Sequence, residues 1–239
     1  MNTDLLYHAD SYLSNFNARV VACHDNALAF DRTAFYPGGG GQMADQGVLR
    51  WDGQEHTVTK LFKDQDGHSI WHQVESALPP VGTPVTGAID WALRYRMMRT
   101  HTALHILCGL IFRDFGAQVT GGQMYPDRAR MDFTLEQFDQ NTIRLIEERA
   151  NEAIQADYPI KVYVLPREEA FQIPDLVRTK INLLPPGIPS VRIVEIVGLD
   201  LQADGGTHVK STAEVKGIKV IKSENKGKIN KRLEIALVD

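Results

Sequence analysis

The stretch that most limits the fold is the apolar run Trp91–Phe115. It is opened by Asp90, a good helix N-cap, and closed by Gly116, a good helix stop. Those signals predict one long helix, with a kink near Arg96–Arg99 as an alternative to a straight one. Inside the run stands His101-Thr102-Ala103-Leu104-His105. Helical residues four apart share a face one turn apart, so two imidazoles so placed can grip one metal ion. Leu104, Cys108 and Ile111 continue the helical spacing and turn the pair inward, where an imidazole without a partner is costly. The bland alternative is one exposed and one packed histidine.

A second stretch weighs against that alternative. In Asp200-Leu201-Gln202-Ala203-Asp204-Gly205-Gly206-Thr207-His208-Val209, an Asp and a His stand four apart around two glycines. Brought against the helix, this loop gives a site of three or four ligands, the composition of a catalytic zinc with a position left for water or substrate. Alone, the loop also reads as an ordinary Asp-Gly turn. Cys108 lies seven residues past His101, about 10 Å along the helix axis, too far to share an ion with both histidines. It is expected to pack.

The two stretches resemble the two halves of the zinc site in the AlaX family, free-standing relatives of the alanyl-tRNA synthetase editing domain. The resemblance extends to Phe35-Tyr36-Pro37-Gly38-Gly39-Gly40-Gly41-Gln42 with Asp45 and Gly47, to residues 90–99, and to the closing Lys/Gly-rich segment. It therefore spans nearly the whole chain, in order. It implies a hydrolase acting on tRNA(Ala) mischarged with serine or glycine, one zinc ion per chain, and the tRNA acceptor end as partner. It makes His101, His105 and His208 metal ligands. Many members have Cys where this chain has Asp204. Asp204 is then either a fourth ligand through oxygen or a group behind the ligands that holds a water and acts as its base.

Residues 1–89 carry short strand-like runs between turns. Runs 19–22 and 27–30 flank His24-Asp25-Asn26, and Asp-Gly turns at Asp52 and Asp66 bracket run 57–62; runs 69–74 and 83–89 follow. These predict a small barrel or sandwich, and a barrel-like domain is the expectation carried forward. Residues 90–239 mix helices and strands without βαβ alternation, so the fold class is α+β. Strands are expected at 130–133, 160–165 and 191–197, helices at 139–156 and 166–171, a rigid connector at Pro185-Pro186-Gly187, and a closing hairpin of 212–221 with 231–238.

The glycines Gly38, Gly39, Gly40 and Gly41 with Gln42 read as a loop whose backbone approaches a substrate, or as a flexible loop; the Lys-Ser/Thr of a P-loop is absent. The resemblance also implies that a second glycine-marked loop, 118–124, helps form the amino-acid pocket, which makes Thr120 and Gln123 either contacts for a serine hydroxyl or ordinary polar turn residues, with Gln202 beside the second half-site. Net charge is −4, which argues against a nonspecific nucleic-acid coat but leaves room for local patches. Two such patches are Arg94, Arg96 and Arg99 ahead of the histidines, and the hairpin cations Lys222, Lys226 and Lys228; both also read as solvated faces. The two cysteines give no disulfide framework, no leader or membrane span stands out, and the reading is cytoplasmic. No Gly-x-Ser-x-Gly nucleophile setting is present. The rival readings are a metal-dependent hydrolase of another small aminoacyl ester or amide, and an RNA-binding module with a structural metal. Three His with Asp match a closed structural site poorly.

Overall fold

The computed structural model describes residues 2–65, 67–135, 138–179 and 187–239. The chain divides into two compact units, Met1–Gly39 with Met43–Arg96, and Gly40–Gln42 with Met97–Asp239. The class is α+β, with long and short helices among many strands.

In the first unit, β1 (Asp4–Leu5), α1 (Leu6–Ala9), β2 (Asn15–His24), β3 (Ala27–Phe30), β4 (Arg32–Thr33), β5 (Gly47–Trp51), β6 (Gln54–Thr57), β7 (Lys60–Lys63), β8 (Ile70–Gln73) and β9 (Pro84–Ile89) follow in order. Seven of the strands form one antiparallel sheet, β6-β5-β9-β2-β3-β8-β7. Strict alternation along β2 sends Phe16, Ala18 and Val20 into a core with Leu28, Phe30 and Leu49. The turn residues do the expected work: Asp25 after β2 and Asp52-Gly53 between β5 and β6 take positive φ.

Two expectations are corrected here. The run 57–62 is not one strand, because its halves pair with different neighbours: β6 with β5, and β7 with β8. For the same reason the expected barrel is not closed. β6 and β7 are the two edges of the sheet; Val58 and Thr59 join them along the chain, but no ladder joins them side by side among the described residues.

The long helix α2 (Trp91–Phe115) has the predicted ends. Asp90 accepts the Leu93 amide at 3.0 Å, and Gly116 takes φ 64°. Residues 97–111 are buried without interruption, so here α2 is a core helix rather than an amphipathic surface one. The second unit continues with β10 (Val119–Met124), β11 (Ala129–Phe133), α3 (Gln140–Gln155), β12 (Ile160–Pro166), α4 (Arg167–Ala170), β13 (Ser190–Ile196), β14 (Asp200–Ala203), a 3-10 turn (Thr212–Val215), β15 (Ile218–Asn225) and β16 (Lys231–Leu237). Two antiparallel sheets result, β10-β11-β16-β15 and β12-β13-β14. Helix α3 begins on the Asp139 cap and buries Ile143, Ile146, Ala150 and Ala153, the expected stripe.

Within the glycine-marked segment 118–124, residues Val119–Met124 form a strand and not a loop. Gly121 and Gly122 pair with Asp132 and Met131, since β11 supplies the partners that glycine's own propensity does not. The closing hairpin starts later than expected, because 212–215 are 3-10 and β15 runs on to Asn225. The turn expected at Asp66 and the connector expected at Pro185-Pro186 lie outside the described residues.

Candidate metal centre

Helix α2 presents His101 and His105 one turn apart. Strand β14 delivers Asp200 and Gln202, and the turn after it delivers Asp204 and His208. The three rings meet with centroids 4.2 to 5.1 Å apart. Potential ligand atoms of His101, His105, Asp204 and His208 all lie within 4.8 Å of one another.

Each ring is oriented from behind. His101 Nδ1 donates to Gln42 Oε1 at 3.0 Å. His105 Nδ1 lies 3.2 Å from Asp200 Oδ2, and His208 Nδ1 lies 3.2 Å from Thr102 Oγ1. With Nδ1 so engaged, Nε2 of each ring is the nitrogen that faces Asp204. His208 Nε2 is 3.2 Å from Oδ1, while His101 and His105 Nε2 are 3.5 and 3.9 Å from Oδ2. Ligands in a tetrahedron at zinc-like bond lengths stand about 3.4 Å apart, so these separations suit one ion. Three imidazole nitrogens and a carboxylate gathered this closely are a donor set that a cation fits.

The charges follow this geometry. Burial holds His101 down, at about 4, despite the Asp204 charge. Burial and the neighbouring imidazoles hold His208 well below its ordinary value. His105 differs: burial opposes its proton, but hydrogen bonds and attraction from Asp200 and Asp204 raise it to about 9. Burial would raise the Asp204 carboxyl, yet His101, His105 and His208 together hold it well below the usual carboxylate range.

The turn is fixed independently of any ion. The Gly206 amide donates to Asp204 Oδ1 at 2.6 Å, and buried Arg192 on β13 donates to the Asp204 and Gly206 carbonyls, both at 2.9 Å. A Cβ at Gly206 would come 2.4 Å from His101 Cε1, so only glycine admits the ring. Gln42 is buried and also bonds Thr207, through Nε2 to Oγ1 at 2.8 Å.

Other expected site residues fall differently. Gly38, Gly39, Gly40 and Gly41 all take positive φ, and the Gly41 carbonyl accepts from Met124 N and Gln123 Nε2. Gln202 donates to Asp200 at 2.6 Å. Thr120 is exposed and bonds Asn230; among the described residues no hydrogen bond ties Thr120 or Gln123 to the histidines. Arg94 and Arg99 are corrections. Arg94 is fully buried and engages Asp45 and the Ser11 and Ala34 carbonyls. Arg99 is buried against Asp239 and the Val215 carbonyl. Neither guanidinium can meet a phosphate. Arg96 is half-buried, whereas Lys222, Lys226 and Lys228 are exposed. Cys108 packs in the core, and burial raises its thiol pKa. Sequence reasoning missed Asp200, Thr102 and Arg192 as supports. The only hint was position: Asp200 stands one strand-length before Asp204, and Thr102 directly follows His101.

Two family models match. The one for tRNA synthetases class II (A) covers residues 8–93, and the one for the threonyl and alanyl tRNA synthetase second additional domain covers 191–234. The alanyl-tRNA editing protein AlaX-M of Saccharolobus solfataricus is 47% identical over 232 residues, 97% of each chain. AlaX-M of Methanosarcina barkeri is 41% identical, over 99% of this chain and 100% of its own. An alanine–tRNA ligase of Pyrobaculum neutrophilum is 38% identical over 92% of this chain but 25% of the ligase. With near-complete coverage on both sides at such identity, the chain belongs to the AlaX family of alanyl-tRNA editing proteins.

Proposed function

We propose that this chain hydrolyses the aminoacyl ester of Ser-tRNA(Ala) and Gly-tRNA(Ala), in the cytoplasm, at a single zinc ion held by His101, His105, His208 and Asp204. The observation that carries the reading is the convergence of three Nε2 atoms on one carboxylate, each ring fixed through Nδ1. When bound, the ion supplies Lewis acidity: positive charge for the ester oxygen or for the attacking water. The protein's part is to hold that charge in a site where water is sparse and rings cannot turn.

Asp204 suits the ligand role better than the base role. Its two carboxylate oxygens lie 3.2 to 3.9 Å from the three Nε2 atoms, the spacing of donors around one ion. Gln42 acts on His101, because its amide oxygen receives both His101 Nδ1 and the Thr207 amide. Gln202 is likewise engaged with Asp200. In this reading Thr120, Gln123 and the backbone of Gly38–Gly41 remain the contacts for substrate. Serine differs from alanine by a hydroxyl, which a site must reward with a hydrogen bond. Thr120 Oγ1 donates to Asn230 and keeps lone pairs for such a donor. Thr120→Val is expected to lower the serine-over-alanine ratio by about 10-fold or more; an unchanged ratio removes Thr120 from the pocket. Arg96, Lys222, Lys226 and Lys228 are the cations proposed for the tRNA backbone, near a single-stranded acceptor end. The domain division belongs to the same proposal: a β-rich 1–89 and a metal-binding 90–239.

The test is release of serine from Ser-tRNA(Ala) against alanine from Ala-tRNA(Ala), with and without chelator, for wild type and His101→Ala. Serine release lost on chelation and in the variant is the expected result. Release from neither substrate, with metal confirmed in the sample, overturns the function.

A further inference from the structure

The three histidines are supported by different chemistry. Behind His101 stands an amide oxygen and behind His208 a hydroxyl, both neutral. Behind His105 stands the carboxylate of Asp200, whose side chain has no exposed surface. Its Oδ2 also accepts from Gln202 Nε2 at 2.6 Å. Its Oδ1 lies 3.6 Å from Nε of Arg178, and that guanidinium lies over the Phe112 ring at 3.8 Å. A buried carboxylate is costly without partners, and Arg178, Gln202 and His105 are the ones placed about Asp200.

Helix α2 is shaped to let this carboxylate in. Gly109 follows His105 by four residues and shares its face. A Cβ there would lie 2.8 Å from Asp200 Cβ and 2.9 Å from the Leu199 carbonyl. Glycine is a poor choice for the middle of a core helix, and its benefit at this position is the space beside His105.

We propose that Asp200 is the positioning residue of the metal centre. Acting through Nδ1 of His105, it fixes the tautomer that leaves Nε2 free, orients the ring and strengthens it as a donor, while Arg178 balances its charge. This rests on the metal reading given above, and goes beyond it in making His105 the ligand on which retention of the ion most depends.

The probe is cobalt(II), whose visible spectrum reports ligand number and geometry, with zinc(II) competition for affinity. The proteins are wild type, Asp200→Asn, Gly109→Ala and Thr102→Val. Asp200→Asn is expected to bind cobalt 10- to 100-fold more weakly, with altered visible bands and an unchanged far-ultraviolet circular dichroism spectrum. Gly109→Ala alters no polar group but displaces Asp200, and is expected to weaken binding in the same direction. Thr102→Val, which removes a neutral acceptor from His208, should lose less. If wild type takes up no cobalt or zinc, the metal reading itself fails. If wild type binds and Asp200→Asn binds equally well, only the role of Asp200 fails. Should Asp200→Asn not fold, Gly109→Ala decides: unchanged affinity and spectrum overturn the proposal.

Discussion

Histidine is buried in both units, to different ends. In the first unit His72 lies in the sheet core, its Nδ1 on the Leu28 carbonyl at 3.3 Å and its Nε2 on the Thr33 hydroxyl at 2.9 Å. In the second unit His101, His105 and His208 are also held through Nδ1, yet their Nε2 atoms meet a shared carboxylate. Nδ1 is held by a partner in both regions, so what Nε2 meets separates a structural histidine from a candidate ligand. Where Nε2 finds a hydroxyl, the ring is finished. Where three Nε2 find one carboxylate, the group calls for a cation. Burial alone does not tell these cases apart; the direction of the second nitrogen does.

The largest effect should come from breaking the second case. His101→Ala is expected to cost at least about a thousandfold in kcat/KM for Ser-tRNA(Ala), since metal charge at a reacting oxygen is worth several kcal/mol. His72→Ala should leave kcat/KM within a few-fold of wild type while lowering the unfolding midpoint. Equal activity loss in both, measured on folded protein, would erase the distinction. Asp45→Asn extends the contrast. It leaves Arg94 buried and charged without its carboxylate, which should cost about 3–5 kcal/mol of stability. Denaturant unfolding should register that loss, with cobalt affinity per folded molecule unchanged.

The pH dependence separates His72 more finely. Burial holds its folded-state pKa at about 4, against 6.5 for the free side chain. Between those values the unfolded chain binds the proton and the folded one does not, so stability falls as pH falls. The loss attributable to His72 approaches about 3 kcal/mol by pH 4. His101 slopes the same way in metal-free protein, so the informative quantity is the difference between wild type and His72→Gln. Parallel stability curves from pH 7 to 4 would show that His72 carries no such penalty.

These contrasts also show what a sequence can carry. The histidine pair, the Gly-Gly-Thr-His turn and both ends of α2 were legible because each depends on residues a few positions apart. His101 and His105 need only helical spacing; Asp90 and Gly116 act on the adjoining turn of helix. Arg94 was misread because its environment depends on Asp45, 49 positions earlier. Arginines ahead of a metal helix look like a phosphate patch until a distant carboxylate is placed beside one of them. Gly121 and Gly122 were misread for a related reason: their strand is imposed by β11, against local propensity. The open sheet of the first unit belongs here too, since closure is decided between edges that local patterns do not describe. Asp200 was quoted as the start of a motif, but its role required knowing that Gly109 leaves room for it.

The smallest expected effect concerns the hairpin cations, where the contrast between buried and exposed groups is weakest. Lys222 and Lys226 share Glu224, and both are exposed. Exposed pairs contribute little, so either lysine can exchange its carboxylate for a phosphate at small cost. Lys228 is exposed at the turn of the hairpin, while nearby Lys231 is buried and bound to the Gly227 and Lys228 carbonyls. Lys231 therefore shapes the turn, whereas Lys226 and Lys228 keep exposed side chains. The double change Lys226→Gln, Lys228→Gln should lower kcat/KM for Ser-tRNA(Ala) roughly 2- to 5-fold at low salt and flatten its dependence on salt by about one unit of slope per lost contact. Cobalt affinity should not move, because neither lysine supports a histidine. If rate and salt slope both stay at wild-type values while His101→Ala is inactive, the hairpin is a solvated face and the tRNA is held elsewhere.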